Sequence, residues 1–213
     1  MNVLNLLFPP LCALCGKPLP PRSAYSSPCL ECLRDLPVLS EPAFRTETGI
    51  ACLAPLRFGG QVRNGILGLK FRRRVSCAKY FARLMERCLA RYGLSGFNAV
   101  TWVPVSRARE RRRGYDQSEL LAKEISKLIN VRARRLLYRK RHTNPNSLLK
   151  TAGERRVNVS GAFGIAPFRE IVNMNILLID DVITSGSTAG ECARVLLENG
   201  AANVTVLAAA RAR

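Results

Sequence analysis

Asn175-Ile-Leu-Leu-Ile-Asp180-Asp181-Val-Ile-Thr184-Ser185-Gly186-Ser187-Thr188 is the stretch on which the reading of this chain turns. Asn175 to Ile179 reads as a buried strand, and two adjacent carboxylates stand at its C-terminal end, the edge at which open α/β sheets bind ligands. A run of small hydroxyl residues around Gly186 then leads into a helix. The unpaired N–H groups of a first helical turn and the helix dipole favour a phosphate there. Thr184, Ser185, Ser187 and Thr188 add hydroxyl donors, and Gly186 lets the backbone close around an anion with no side chain in the way. Asp180 and Asp181 would repel a phosphate at contact distance, so their use lies elsewhere. Two carboxylates accept hydrogen bonds from a vicinal diol, and acids followed by a phosphate nest read as a site for a sugar phosphate. The plainer alternative is a strand-to-helix turn with solvated acids and Ser or Thr caps, which leaves the conjunction of features unexplained.

Downstream, the helix runs from about Ser187 to Asn199, Gly200 stops it, and Val204 to Ala209 forms the next strand. A strand, a helix and a strand in this order imply a parallel sheet. Upstream, Glu154 to Val157 begins a short helix, Asn144-Pro145-Asn146-Ser147 is a turn, and Arg135 to Tyr138 is a short strand. A helix from about Ser118 to Ile129 sets Leu120, Leu121, Ile125, Leu128 and Ile129 on one face. Ahead of it Arg107, Arg109, Arg111, Arg112 and Arg113 crowd into what reads as a loop after the strand Phe97 to Val105. Ile50 to Phe58 reads as one strand closed by Gly59-Gly60, and two apolar helical faces follow, from Val62 to Lys70 and from Ala78 to Leu89. Residues 1 to 8 suit one short helical turn.

Between Leu11 and Glu41 no periodicity is long enough for a core element, and stability has to come from elsewhere. Cys12-x-x-Cys15 and Cys29-x-x-Cys32 supply it: each two-residue spacer aims both sulfurs at one ion, and four thiolates make a closed, structural zinc site. Metal binding is then the folding energy of the segment. Disulfides or free thiols are the alternatives. Cys52, Cys77, Cys88 and Cys192 have no chelating spacing and read as core.

The chain has 213 residues, 47% hydrophobic and 23% charged, which suits one ordinary domain with a small appendage and excludes a disordered or fibrous chain. Its longest apolar runs fall far short of the roughly 18 residues that cross a bilayer. With no secretory signal legible, the expected location is the cytoplasm, where paired cysteines more often hold metal than form disulfides. A net charge of +19 predicts attraction to polyanions. Much of it is local, since Arg107 to Arg156 holds sixteen Lys or Arg against five acids.

Ile176 to Thr188 resembles the phosphoribosyl-diphosphate signature of the type I phosphoribosyltransferases. With the cysteine pairs, Val103-Pro104-Val105, Arg113-Gly114-Tyr115-Asp116-Gln117, Glu154-Arg155-Arg156-Val157-Asn158 and Gly161-Ala162-Phe163, nearly the whole chain resembles the ComF family of competence proteins. That resemblance implies a type I phosphoribosyltransferase-like parallel sheet flanked by helices over residues 46–213, with a double zinc-knuckle over residues 1–45. It implies a role in DNA uptake beside a helicase; single-stranded DNA as a partner and a peripheral place at the inner face of the membrane are expected alongside it. Carried over by position, Asp180 and Asp181 hold ribose hydroxyls, and Thr184, Ser185, Gly186, Ser187 and Thr188 hold the 5-phosphate. Val105, Ser106 and Arg107 match the diphosphate loop, and Arg109 to Arg113 match a mobile loop whose cations stabilise departing diphosphate. Magnesium enters on diphosphate oxygens. Pro145-Asn146-Ser147 and Asp116 depart from the family's Pro-Gln-Ser and Asn.

Three functions fit these residues. One is a competence factor that binds a phosphoribosyl ligand and single-stranded DNA, with the arginines as a track for phosphates. Another is an active transferase like the amidophosphoribosyltransferases, with Asp180, Asp181, Arg109 and Arg113 as its catalytic groups. The third is an interaction module whose zinc segment docks a helicase.

Overall fold

The structure is a computed structural model that describes residues 9–46, 48–141, 143, 151–167 and 169–212. The expected turns at residues 1–8 and at Asn144 to Ser147 lie outside these residues. A four-cysteine knuckle opens the described chain, followed by α1 (Leu30–Arg34), β1 (Ala43–Arg45), β2 (Ala51–Leu53) and β3 (Leu56–Arg57). Two helices, α2 (Gly60–Phe71) and α3 (Cys77–Arg91), lead to β4 (Ala99–Trp102). Next come α4 (Arg107–Arg113), α5 (Gln117–Ile129), β5 (Leu137–Arg139), α6 (Ala152–Val159) and β6 (Phe163–Ile165). The chain then runs through β7 (Asn175–Ile183), α7 (Ser187–Glu198) and β8 (Asn203–Arg211).

Among the described residues the main sheet has the order β1-β2-β8-β7-β4, with β3 also on β8, and only β1 runs antiparallel to its neighbour. The expected unit of strand, helix and parallel strand is β7-α7-β8, in register from Asn175 opposite Asn203 to Ile183 opposite Arg211. Strand alternation explains the aliphatic run of β7. Leu177 and Ile179 pack with α2, α3 and α5 on one face, and Ile176 and Leu178 pack with α7 on the other. A sheet covered on both faces needs apolar residues at every position, not at alternate ones. The knuckle joins the first of these layers, because Ala13, Leu14 and Leu19 are buried with Phe81 and Leu69. Among the described residues no helix is long and apolar enough to cross a membrane.

Three expectations change. Ile50 to Phe58 is not one strand but β2 and β3, both on β8 in a single register, Cys52 opposite Val206 and Leu56 opposite Ala210. Pro55 has no N–H to continue the ladder, and the Ala54 N–H turns away to Pro42 O at 3.0 Å. β7 also runs past Ile179 through both acids, because β8 is long enough to pair with it as far as Ile183. The third change is the arginine run, which is not a loop. It is helix α4, capped by Ser106, whose hydroxyl accepts from Arg109 N–H at 3.4 Å, and stopped by Gly114 at φ 81°. No residue of α4 is buried, so apolar periodicity carried no signal, whereas arginine's helix propensity and the two end residues suffice to form it.

Candidate functional site

The carboxyl end of β7, the start of α7 and the helices α2, α4 and α5 enclose a cavity of about 660 Å³. Asp180 and Asp181 lie at its floor. Asp181 is buried and paired with Lys70 of α2, Nζ to Oδ2 at 2.9 Å. Asp180 Oδ1 accepts from the Asp181 N–H at 2.8 Å and from Ser118 Oγ at 3.3 Å, at the head of α5. Burial, joined by the neighbouring Asp181 charge, pushes the Asp180 carboxyl up to about 7. Two adjacent acids thus share the floor without both being readily ionised.

The hydroxyl loop lies at the mouth of α7. Gly186 has φ 77°, and a methyl group there would come within 2.5 Å of Thr46 Cγ2. Both the left-handed backbone and the close approach require glycine. Ser185 and Ser187 hydroxyls bond each other at 2.8 Å, and the first turn of α7 carries no acid. Thr184, Gly186, Ser187 and Thr188 line the cavity; Ser185 stands just outside the lining.

Cations form the walls. Arg109, Arg112 and Arg113 reach in from α4, Arg63 and Lys70 from α2, Arg139 from β5 and Arg155 from α6. Burial, and then Arg112, hold the Arg109 guanidinium below its usual range; burial acts likewise on Arg113, and burial with the Arg109 charge on Arg139. Clustered cations that depress one another offer a strong site to a multiply charged anion. Arg113 is held by Gln117 Oε1 at 2.5 Å and stacks on Phe71, 4.8 Å from the ring centre, and Arg139 stacks on Phe163 at 4.9 Å. Both therefore present fixed guanidinium planes.

At the Val105, Ser106 and Arg107 segment, Val105 lines the cavity, Ser106 is the buried cap of α4, and Arg107 is exposed outside the lining. Asp116 ties this segment down. Its Oδ2 accepts from Val105 N–H at 3.0 Å, while Oδ1 accepts from Ser118 N–H at 2.9 Å and Glu119 N–H at 3.3 Å, capping α5. Both oxygens accept, a task an asparagine in the same rotamer could do with only one. Burial raises this carboxyl to about 6 against those three bonds.

Sequence reading missed Arg63, Lys70, Ser118 and Arg139, and took Arg155 only as part of a motif. Each comes from an element remote in sequence from Asp180. Only the polar end of an otherwise apolar helix face, Leu69 followed by Lys70, could have flagged one of them.

Near the N-terminus the Sγ atoms of Cys12, Cys15, Cys29 and Cys32 all lie within 4.8 Å of one another, with Cys15 and Cys29 at 3.9 Å, and all four are free of disulfides. Cys29 N–H donates to Cys12 Sγ at 3.2 Å and Lys17 N–H to Cys15 Sγ at 3.5 Å. Against the opposing effect of burial, such backbone donors hold the Cys12 thiol down at about 6, which favours the thiolate a metal needs. This cluster could hold a metal ion.

No family model matches the chain. It is 33% identical over 202 residues to DNA utilization protein YhgH of Escherichia coli O6:H1, covering 92% of this chain and 82% of that protein. The Salmonella typhimurium protein of the same name is 32% identical over 202 residues, with the same coverage. Competence protein F of Haemophilus influenzae is 34% identical over 116 residues, 54% of this chain and 50% of that protein. Among solved structures, the allosteric regulatory enzyme of purine biosynthesis aligns with a TM-score of 0.42 at 19% identity, covering 62% of this chain but only 26% of that one. A hypoxanthine phosphoribosyltransferase from Staphylococcus aureus aligns with a TM-score of 0.38 at 12% identity, over 62% of this chain and 61% of that one.

Proposed function

The chain belongs to the ComF family of competence proteins, that of DNA utilization protein YhgH, and from that membership we propose a competence-related protein that binds phosphoribosyl diphosphate or a close ribose phosphate and handles single-stranded DNA. The observation that carries the ligand class is the pairing, in one cavity, of two acids with a glycine-based phosphate nest and, among the described residues, seven cationic side chains. Acids suit the ribose hydroxyls, the nest suits the 5-phosphate, and the arginines of α4 exceed what one phosphate requires, which favours a diphosphate. Magnesium would enter with the ligand, bound to its diphosphate oxygens.

In this reading the four cysteines hold a structural zinc. A tetrahedron with Zn–S bonds of about 2.3 Å sets its sulfurs about 3.8 Å apart, and the 3.9 Å between Cys15 and Cys29 fits that edge. The ion would supply folding energy to residues 1–45, and residues 46–213 would form the ligand-binding unit. The proposed place of action is the cytoplasm, near a membrane-associated uptake apparatus and its helicase.

A transferase is the second reading. Arg109 and Arg113, destabilised as cations by burial, would gain most as negative charge grows on a leaving diphosphate, while Asp180 and Asp181 orient the ribose. Both readings share a first experiment: calorimetric titration of the zinc-loaded protein with phosphoribosyl diphosphate and magnesium, beside an Asp180→Asn, Asp181→Asn double variant. Wild-type binding that the double variant loses is the expected result, and it opens a screen of acceptor bases and ammonia. Absence of binding to the wild type would refute the ligand assignment.

A further inference from the structure

Resting on the ribose-phosphate reading of the cavity, we infer that Lys70 is a positioning residue of that site and that the four-cysteine module holds it in place through Arg74. Lys70 sits in the last turn of α2, and its ammonium meets a carboxylate whose side chain is only 6% exposed. Losing one partner of so enclosed a pair leaves a charge unsatisfied, which a surface pair does not. At the floor of an anion site the pairing has a use: it cancels the Asp181 charge beside the place where phosphate arrives.

The end of α2 is fixed to the knuckle by one side chain. Arg73 takes the left-handed conformation, φ 51°, uncommon for a residue with a side chain, and this turns the chain back on itself. Arg74 N–H then donates to Gly68 O at 3.2 Å. Its guanidinium donates to Asn64 O of α2 at 2.8 Å and, across the gap, to Cys12 O at 3.1 Å and Leu14 O at 3.3 Å. Gly16 of the knuckle and Gly68 of α2 leave the room this requires, since a methyl group on either would collide with the guanidinium. On the cavity side the same helical turn is gripped again, by Tyr115 Oη donating to Leu69 O and by the Arg113 guanidinium over Phe71. A continuous set of contacts thus runs from Cys12 through Arg74 and the last turn of α2 to Lys70 and Asp181. The knuckle has no core separate from the main one, and in this reading metal binding adds the rest of its order, so the metal bears on whether Arg74 keeps two of its partners.

The test uses the full zinc-loaded chain as wild type, Lys70→Met, Lys70→Arg, Arg74→Met, Arg74→Lys and the Lys70→Met, Arg74→Met double variant. Two measurements are made: calorimetric affinity for phosphoribosyl diphosphate with magnesium, and the acylation rate of the Lys70 amine by an amine-reactive ester without ligand, read by peptide mass spectrometry. Lys70→Met and Arg74→Met are each expected to lose about tenfold in affinity. The double variant is expected to lose no more than Lys70→Met, because Arg74 acts through Lys70. Lys70→Arg restores the ion pair and much of the affinity. Acylation of Lys70 quickens several-fold in Arg74→Met and by less in Arg74→Lys, which also keeps the test valid should the Met variant fail to fold. In Cys12→Ser, Cys15→Ser the bound zinc is lost and Lys70 acylation quickens likewise. Losses that multiply in the double variant, an unchanged acylation rate in both Arg74 variants, or zinc retained by the serine variant would each overturn the inference. If the wild type binds no phosphoribosyl diphosphate, the ligand reading fails, while the acylation rates still decide whether Arg74 and the metal position Lys70.

Discussion

Under the proposed ligand, Asp180 answers to two demands at once: it would face a diol near an anion, and it must survive burial beside Asp181. The fold meets both by giving its Oδ1 two donors and giving Asp181 a lysine. Burial, joined by the Asp181 charge, outweighs those contacts, and the folded chain keeps a proton on Asp180 up to about pH 7, where the unfolded chain, with an ordinary carboxyl, has released it near pH 4. The folded state binds more protons across that window, so this residue's contribution to stability is full below pH 4, falls as pH rises, and is exhausted above about 7. Relative to Asp180→Asn, the wild type is expected to lose stability between pH 4 and 7 at up to about 1.4 kcal/mol per pH unit. Urea denaturation at each pH measures the difference, and parallel curves for the two proteins would refute the raised carboxyl.

Elements set these residues in place through their ends. α7 begins at Gly186, α5 at Asp116 and α4 at Ser106, and all three starts lie on or beside the cavity. The nest at Gly186 is the most constrained, since an added Cβ meets both a left-handed backbone and the Thr46 side chain. Gly186→Ala is expected to cost roughly 1–3 kcal/mol of stability and to weaken phosphoribosyl diphosphate binding more than tenfold. A thermal melt and a calorimetric titration of one preparation check both. Wild-type affinity in this variant would remove the loop from the site. The starts of α7 and α5 were legible, because their apolar faces follow a helical period. α4 was not, because a helix with no buried face leaves its trace only in its cap and its stop.

Over the whole molecule, charge is the dominant property. The net +19 is partly turned inward, since Arg109, Arg112 and Arg113 face the cavity while Arg107 and Arg111 face solvent. The arginine segment thus divides between cavity and surface. Affinity for a single-stranded oligonucleotide is expected to fall steeply with salt, with a log–log slope of about −0.7 per phosphate contacted. Fluorescence anisotropy between 50 and 200 mM salt, with and without saturating phosphoribosyl diphosphate, measures it. A flat slope would rule out an electrostatic DNA surface, and an unchanged slope with ligand would show that the inward arginines take no part.

By itself the sequence determined the features that are local in the chain. The paired cysteine spacings, the β7-α7-β8 unit and the run from Asp180 to Thr188 each fit within a few tens of residues, where period, caps and turn chemistry act. Only the tertiary structure decided what meets that run. Lys70, Ser118 and Arg139 approach Asp180 and Asp181 from three other elements, and Arg74 joins Cys12 to α2 across sixty-two residues. Such contacts leave no periodic trace, because they depend on where whole helices pack on the sheet, and that is fixed by the burial of their opposite faces.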